Sequence, residues 1–112
     1  MEKLYVVTRA DLEPGLMLAQ VAHAVSEFAF SYPDKHRAWH RNGKNIAVLA
    51  ARDLEHISGM LALLEDSHAL ECAAFFESDL SDELTAFAVS DAAARLLSCL
   101  PLALRRRDLR AA

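Results

Sequence analysis

Two short apolar segments without polar alternation constrain the fold of this chain more than any other feature. Leu4–Thr8 is rich in β-branched and aromatic residues, and Ile46–Ala50 is apolar throughout. A strand without a polar face is typical of sheets that are covered on both sides. The sequence therefore predicts an α/β domain in which helices cover both faces of a sheet.

The remaining elements follow from periodicity and from the residues that start or stop helices. Helices are predicted from about Leu16 to Ser31, over residues 34–41, from an Asp53 cap to Leu64, and from a Ser90 or Asp91 cap to Leu100. Further strands are predicted at Leu70–Phe76 and Leu84–Val89. The order β-α-(α)-β-α-β-β-α predicts a three-layer α/β/α single domain with a four-stranded mixed sheet. The fourth strand should be antiparallel, because a loop alone joins it to the third.

The chain length of 112 residues fits one domain, predicted over residues 1–103, with a basic tail at 104–112. In that tail, Arg105–Arg107 either contacts phosphates or frays. Leu16–Phe30 is too short and too polar to cross a membrane, and the first residues lack the apolar region of a signal peptide. A cytoplasmic location is therefore expected. The two cysteines have no CxxC spacing, which favours reduced thiols over a disulfide framework or a zinc site.

One edge of the predicted sheet is the natural place for a ligand. In open α/β sheets, ligands bind outside the carboxyl ends of the parallel strands, where helix N-termini offer free N–H groups. In the predicted order this edge contains Thr8-Arg9, residues 12–16, Arg52 and Glu77, together with Thr85 at the start of the fourth strand. The sequence therefore predicts that any working site lies there.

The first helix carries polar residues in an otherwise apolar segment. Gln20, His23 and Glu27 are spaced three and four apart and can share one flank of the helix. Gln20 could present its amide to a substrate or brace a loop. His23 could act as a general base, or it could hydrogen-bond a strand carbonyl. Glu27 is expected to pair with a nearby cation.

A cationic segment precedes the second strand, although the net charge of the chain is −4. The segment contains Lys35, Arg37, Arg41 and Lys44, with Trp39 between them. Cations with one interleaved aromatic could contact an RNA backbone and stack on a base. The alternative is a solvated helix face whose Trp39 packs into the core. The net charge argues against a globally basic nucleic-acid-binding protein but allows a local patch.

An acidic loop leads into the fourth strand. Asp79, Asp82 and Glu83 are spaced too loosely for an EF-hand, and the loop lacks the glycine of that motif. A capped turn is the favoured interpretation, and no metal site is predicted.

Several motifs together resemble the type 2 peptidyl-tRNA hydrolase family. The most specific is Ala19-Gln20-Val21-Ala22-His23-Ala24, which is similar to the start of that family's first helix. Around it lie the opening strand, Asp11-Leu12, Gly15, Trp39, Asn42-Gly43-Lys44 before the second strand, Asp53-Leu54 and Thr85. The resemblance extends from about Lys3 to Leu100. It implies a four-stranded mixed sheet between helices, and often a homodimer.

The resemblance also implies an activity: hydrolysis of the ester between a peptide and the 3′ end of tRNA, with no metal or cofactor. By position, Gln20 matches the family's helix glutamine and Thr85 its fourth-strand threonine. Glu77 stands where the family carries an aspartate, and it would orient a water as a base. Asp79 is the alternative base if the loop aligns differently. His23 completes the predicted catalytic set, and the predicted tRNA-binding residues are Arg9, Lys35, Arg37, Trp39, Arg41 and Lys44.

The sequence departs from the family at two places. Leu16 stands at the family's lysine position, and Arg9 is the nearest cation in the sequence. The loop from Glu77 to Thr85 is shortened and acidic. Three hypotheses therefore remain open: a peptidyl-tRNA hydrolase, a weakened or inactive relative that serves as a binding or dimeric interaction module, and a hydrolase of another small ester or amide.

Overall fold

The computed structural model describes residues 1–105, which form an open α/β sheet. The strands are β1 (Lys3–Arg9), β2 (Asn45–Ala51), β3 (Cys72–Glu77) and β4 (Glu83–Ser90), and the helices are α1 (Pro14–Ser31), α2 (Pro33–Asn42) and α3 (Leu54–Ala62). The strand order is β2-β1-β4-β3. β2 is parallel to β1, and β4 is antiparallel to both β1 and β3. The predicted four-stranded mixed sheet is confirmed.

Each face of the sheet has its own hydrophobic core. On one face, Leu4 and Val6 of β1 lie in a cluster with Ala24 and Phe28 of α1, and Trp39 of α2 packs against it. On the other face, the cluster combines strand residues with α3 and the segment that follows β4; it includes Val7, Ile57, Leu64, Phe87 and Leu97. Because successive strand residues point to opposite faces, β1 can supply both cores. This arrangement is the predicted three-layer α/β/α architecture.

The helix boundaries follow local chemistry. α1 begins at Pro14, earlier than predicted, because proline is well suited to the first helical turn. It ends at Ser31, close to Pro33, where the helical conformation becomes unfavourable. The predicted Asp53 cap of α3 is confirmed, since its carboxylate accepts a hydrogen bond of 2.9 Å from the His56 backbone N–H. None of the helices within residues 1–105 is long and apolar enough to cross a membrane.

The prediction of a last helix, from a Ser90 or Asp91 cap to Leu100, is wrong. Only Asp91–Ala93 forms a helical turn, of the 3-10 type, and turns follow it up to Leu100. The backbone bonds in this segment alternate between three- and four-residue spans, as in Ala94 to Asp91 and Leu97 to Ala93. The apolar spacing that suggested a helix is used for packing instead, because Ala93, Leu97 and Leu100 are buried in the core on the α3 face.

After these turns the chain lies along the outer edge of β2. The Ala50 N–H donates to the Pro101 carbonyl at 2.9 Å, and the Ala103 N–H donates to the Val48 carbonyl at 2.8 Å. The segment therefore pairs with an edge strand whose backbone groups would otherwise be unpaired. The predicted basic tail at 104–112 falls largely outside the described residues, as do Arg106 and Arg107.

Candidate active site

Gln20 joins two other predicted site residues. Its Nε2 donates a hydrogen bond of 2.9 Å to Glu77 Oε1, and its Oε1 accepts one of 2.7 Å from the Thr85 hydroxyl. Gln20 and Thr85 are completely buried. A carboxylate can only accept hydrogen bonds, so the bond to Glu77 fixes which end of the Gln20 amide carries the nitrogen. The structure therefore brings Gln20, Glu77 and Thr85 together in one hydrogen-bonded chain at the carboxyl end of β3.

A β-bulge brings Thr85 into this chain. Phe75 of β3 pairs with Ala86 and Phe76 pairs with Leu84, so Thr85 is an extra residue in β4. Leu84 belongs to the core on the α3 face and Ala86 to the core on the α1 face. Thr85 and Ala86 therefore both face α1, which regular alternation would not allow. The bulge thus directs the hydroxyl toward Gln20.

Thr8 of β1 supports the bulge from the neighbouring strand. Its buried hydroxyl donates a hydrogen bond of 3.0 Å to the backbone carbonyl of Thr85. A bulge leaves a backbone group without its regular partner in the sheet, and a side-chain donor can satisfy it.

Glu77 ends β3 and is half-exposed, in contrast to its two partners. The hydrogen bond from Gln20 lowers the pKa of the Glu77 carboxyl from its ordinary value, with smaller contributions from the Asp79 backbone N–H and from the charge of His23. Partial burial opposes this effect. The carboxylate form is therefore favoured, as a group that accepts a proton from water near neutral pH requires.

His23 lies beside this chain of hydrogen bonds on the exposed side of α1. Its ring stacks on Phe75, with ring centroids 4.2 Å apart and an angle of 8° between the planes. The predicted alternative of a hydrogen bond to a strand carbonyl has no counterpart among the described residues, because an aromatic ring fixes the imidazole instead. His23 thus flanks the site and remains accessible to a ligand.

Arg9 forms a separate cluster at the same edge of the sheet. It is 7% exposed, and its guanidinium makes a two-pronged contact with Asp11 at 3.0 and 2.8 Å. A third bond, of 2.7 Å, goes to Glu83 Oε1. The hydrogen bond with Asp11 is the largest influence that raises the pKa of Arg9 and lowers that of Asp11. Two carboxylates thus engage the guanidinium that the sequence assigned to substrate binding.

The first turn of α1 shows the effect of the departure at Leu16. Leu16 is half-buried, and Glu13, at the cap position, makes no side-chain hydrogen bond to the helix. The start of α1 therefore keeps exposed backbone donors and the positive end of the helix dipole, without the charge of a lysine.

The cationic segment forms α2, at the other end of the α1 layer. Lys35 pairs with Glu71 at 3.1 Å, just before β3 begins, and Arg37 pairs with Asp34 at 3.1 Å. Trp39 is half-buried against the core and donates its indole N–H to the Asn45 carbonyl. This contact is the structural alternative that the sequence left open for Trp39. Arg41 and Lys44 are exposed and have no ion pair within residues 1–105. Of the segment, Arg41 and Lys44 thus keep their charges available for a polyanion.

The acidic loop is a tight turn. Glu77 Oε2 accepts a hydrogen bond of 3.4 Å from the Asp79 backbone N–H, and the Asp82 N–H donates to the Glu77 carbonyl at 2.9 Å. Ser81 and Asp82 both adopt positive φ, at 55° and 59°. Within residues 1–105, no three His, Cys, Asp or Glu side chains come together as metal ligands would.

Some parts of this edge were absent from the predicted site. Asp11 and Glu83, the partners of Arg9, were not predicted, and neither was the support that Thr8 gives to the bulge. The Arg9-x-Asp11 spacing at a strand end was a usable signal, because two residues on the same side of a strand are neighbours. Glu83 lies 74 residues away from Arg9 along the chain, so no local pattern could have revealed that contact.

A protein-family model matches most of the chain. The family model described as peptidyl-tRNA hydrolase PTH2 matches residues 2–93 of the chain. That range includes every strand and helix described above and all predicted catalytic residues. A search of curated proteins found no match.

Proposed function

Because the chain belongs to the peptidyl-tRNA hydrolase PTH2 family, we propose that it hydrolyses the ester between a peptide and the 3′ end of tRNA. The observation that carries the proposal is the hydrogen-bonded chain from Thr85 through Gln20 to Glu77. It leaves one oriented, half-exposed carboxylate beside α1, and water-mediated ester hydrolysis requires such a base.

Glu77 is the base in this mechanism. A water bound to its carboxylate transfers a proton to Glu77 while the water oxygen bonds to the ester carbonyl carbon. The tetrahedral intermediate then releases the ribose 3′ oxygen as the bond between that oxygen and the carbonyl carbon breaks. The departing oxygen receives the proton from Glu77, so that a free 3′ hydroxyl and a peptide carboxylic acid are formed.

Gln20 and Thr85 position this base. The Thr85 hydroxyl holds the Gln20 carbonyl, and the Gln20 amide holds Glu77 and keeps it ionised. Because both partners are completely buried, the carboxylate is oriented before substrate binds.

His23 lies near the carboxylate, and the start of α1 is six residues before Gln20 on the same helix. We assign the exposed backbone N–H groups of the first turn of α1 to the terminal phosphate of the tRNA. His23, fixed by its stack on Phe75, is placed to donate to the developing oxyanion. Arg9 contributes little direct binding in this proposal, because Asp11 and Glu83 neutralise it.

The cations of α2 extend the proposed RNA contact. The Lys35–Glu71 pair marks the start of β3 and Glu77 marks its end, six residues later. At about 3.3 Å per residue, this separation is roughly 20 Å. Arg41 lies in the last turn of α2, and Lys44 lies just before β2, on the far side of the sheet from β3, so both are farther from Glu77 than this pair is. Both are exposed and would meet the backbone of the acceptor arm while its 3′ end reaches Glu77.

The direct test is release of a labelled N-blocked amino acid from aminoacyl-tRNA by the purified protein. We expect turnover that Glu77→Gln lowers by about 10²-fold or more, since removal of a general base typically has that effect. Glu65→Gln, at an exposed position away from the site, is the matched control. A folded wild-type protein without turnover above background would exclude the hydrolase.

A second candidate function is supported by Leu16 and by the neutralised Arg9. A relative without a lysine at the start of α1, and with Arg9 enclosed by carboxylates, could bind a partner without hydrolysing an ester. If the wild-type protein has weak or no turnover, the Leu16→Lys variant separates the two possibilities. A gain in turnover would identify a weakened enzyme, whereas no gain together with binding of a partner would identify an interaction module. Hydrolysis of a small neutral ester in preference to aminoacyl-tRNA would instead support the third hypothesis.

The proposal includes a homodimer and a cytoplasmic location. Leu18 and Phe30 of α1 support the dimer, because these apolar side chains are 61% and 86% exposed and a partner could cover them. Light scattering of the wild-type protein and of Phe30→Ser tests it. A wild-type mass that corresponds to one chain would contradict the dimer. The location rests on the substrate, since translation supplies peptidyl-tRNA in the cytoplasm.

A further inference from the structure

A second concave site lies on the other face of the sheet. It is a cavity of about 350 Å³ at the carboxyl ends of β1 and β2, between the start of α3 and the segment after β4. Its apolar wall is formed by Ala50, Leu100 and Leu102. Gln20 and Glu77 do not line it, since they lie on the α1 face. Its volume is at the lower end of the range for small-molecule sites.

The polar groups of this cavity are hydrogen-bond donors. Arg52 lines it, and its guanidinium makes no hydrogen bond or ion pair with any residue from 1 to 105. The Arg52 backbone N–H donates to His56 Nδ1 at 3.0 Å. His56 therefore carries its proton on Nε2, and this second ring nitrogen is left as a donor. Arg105 adds a further cationic side chain to the lining.

The nearby carboxylates do not line the cavity. Asp53 accepts a hydrogen bond from the His56 backbone N–H as the cap of α3. Together with Glu55 it lines an adjoining recess, which Arg52 and His56 line as well. The cavity thus combines cationic donors with an apolar wall and has no acidic side chain among its lining residues. Such a combination is complementary to an anion that carries an apolar group.

We propose that this cavity binds a small organic oxyanion, a carboxylate or a phosphate monoester, that carries a short apolar group. Arg52 and the Nε2–H of His56 would hold the oxygens, and Leu100 and Leu102 would cover the apolar part. The site is independent of the proposed hydrolase function, because it shares no lining residue with Gln20, Glu77 and Thr85.

The chain carries a reporter for this site. Cys99 is exposed and lines the cavity. Cys72, the other cysteine, is buried, and burial raises the pKa of its thiol to about 12, so it stays protonated and unreactive. Alkylation of the native protein therefore measures access to the cavity at Cys99.

The test compares two alkylating reagents of similar size, iodoacetate and iodoacetamide. Both form a carbon–sulfur bond and release iodide, but only iodoacetate is a carboxylate. The ratio of their rates therefore cancels the reactivity of the thiol and reports attraction of an oxyanion. Relative to a neutral model thiol, we expect this ratio to be about tenfold higher for Cys99. Arg52→Gln should bring the ratio toward that of the model thiol, whereas Arg41→Gln on α2 should leave it unchanged.

Competition identifies the source of the oxyanion. Butyrate and propyl phosphate are added separately while iodoacetamide reacts with Cys99. Protection by one of them identifies a carboxylate or a phosphate monoester as the preferred class, and Arg52→Gln should abolish the protection. An unfolding curve that matches that of the wild-type protein controls for misfolding of the variant. A ratio equal to that of the model thiol, no response to Arg52→Gln, or no protection by either compound would overturn the proposal.

Discussion

Gln20 of α1 and Arg9 of β1 are both buried polar side chains that contact residues at the start of β4, but the charges of their partners differ. Gln20 is neutral, and its amide links Thr85 to Glu77. Arg9 is charged, and both of its partners, Asp11 and Glu83, are carboxylates. Gln20 thus adds no charge to that of Glu77, whereas Arg9 lies between two carboxylates and its cluster carries one excess negative charge.

This difference separates a reactive group from a structural one. A carboxylate that is oriented by an amide and remains half-exposed can still accept a proton from water. A guanidinium enclosed by two carboxylates stabilises the contact between the end of β1 and the start of β4, but it has little affinity left for an external anion. Substitutions in the two clusters should therefore change different measured quantities.

The largest effect is expected for Gln20→Leu. The variant removes the hydrogen bonds to both Glu77 and Thr85, so the base loses its orientation, and we expect hydrolysis to fall by about 10²–10³-fold. Glu27→Gln, two turns further along the same helix, is the control. Equal activities of the two variants in the aminoacyl-tRNA assay would mean that Gln20 does not position the base.

Arg9→Met should have the largest effect on stability. Removal of the guanidinium leaves Asp11 and Glu83 close together without a counter-charge. Because these carboxylates are 42% and 38% exposed, water screens part of the effect, and we expect a loss of about 2 kcal/mol in the free energy of unfolding. Arg37→Met, in an exposed pair, should change it by less than about 0.5 kcal/mol. Denaturant unfolding measures both, and similar losses would contradict the comparison.

The pH dependence should distinguish the clusters in two ways. The pKa of Asp11 is lowered in the folded state, so its stabilisation is present above the unfolded value of about 3.9 and is lost as the pH falls through the folded pKa. The free energy of unfolding of Arg9→Met should therefore fall less in acid than that of the wild-type protein.

In the pH profile of activity, Gln20→Leu should raise the pKa of Glu77, so that the acid limb moves to higher pH. An unmoved limb would show that another group titrates.

The smallest effect is expected for Glu83→Gln. The amide oxygen can still accept from Arg9, and the bonds between Arg9 and Asp11 are unchanged, so we expect a loss of about 0.5 kcal/mol. Asp11→Asn should have a larger effect because it disrupts the two-pronged contact. The reverse order in unfolding experiments would make Glu83 the principal partner of Arg9.

The four strands and the antiparallel direction of β4 were predictable from the sequence, because the strands are local apolar runs and a loop alone joins β3 to β4. The spatial order β2-β1-β4-β3 was not predicted. The meeting of Gln20 with Glu77 was predictable in outline as well, since both lie where helix starts and strand ends share an edge. The bulge at Thr85 was not predictable from the residues, because no glycine marks it and it depends on pairing with Phe75. The segment 91–100 has the apolar spacing of a helix, but the packing of Leu97 and Leu100 requires turns.

The single extra residue in β4 has a consequence for sequence change along this strand. A deletion between Leu84 and Ala86 would restore an uninterrupted ladder with β3, and the remaining side chains would alternate regularly. The hydroxyl that donates to the Gln20 amide oxygen would be lost with the deleted residue, Thr85. Deletion of the one extra residue is therefore more damaging to the hydrogen-bonded chain of Thr85, Gln20 and Glu77 than most substitutions in β4, even if the domain still folds.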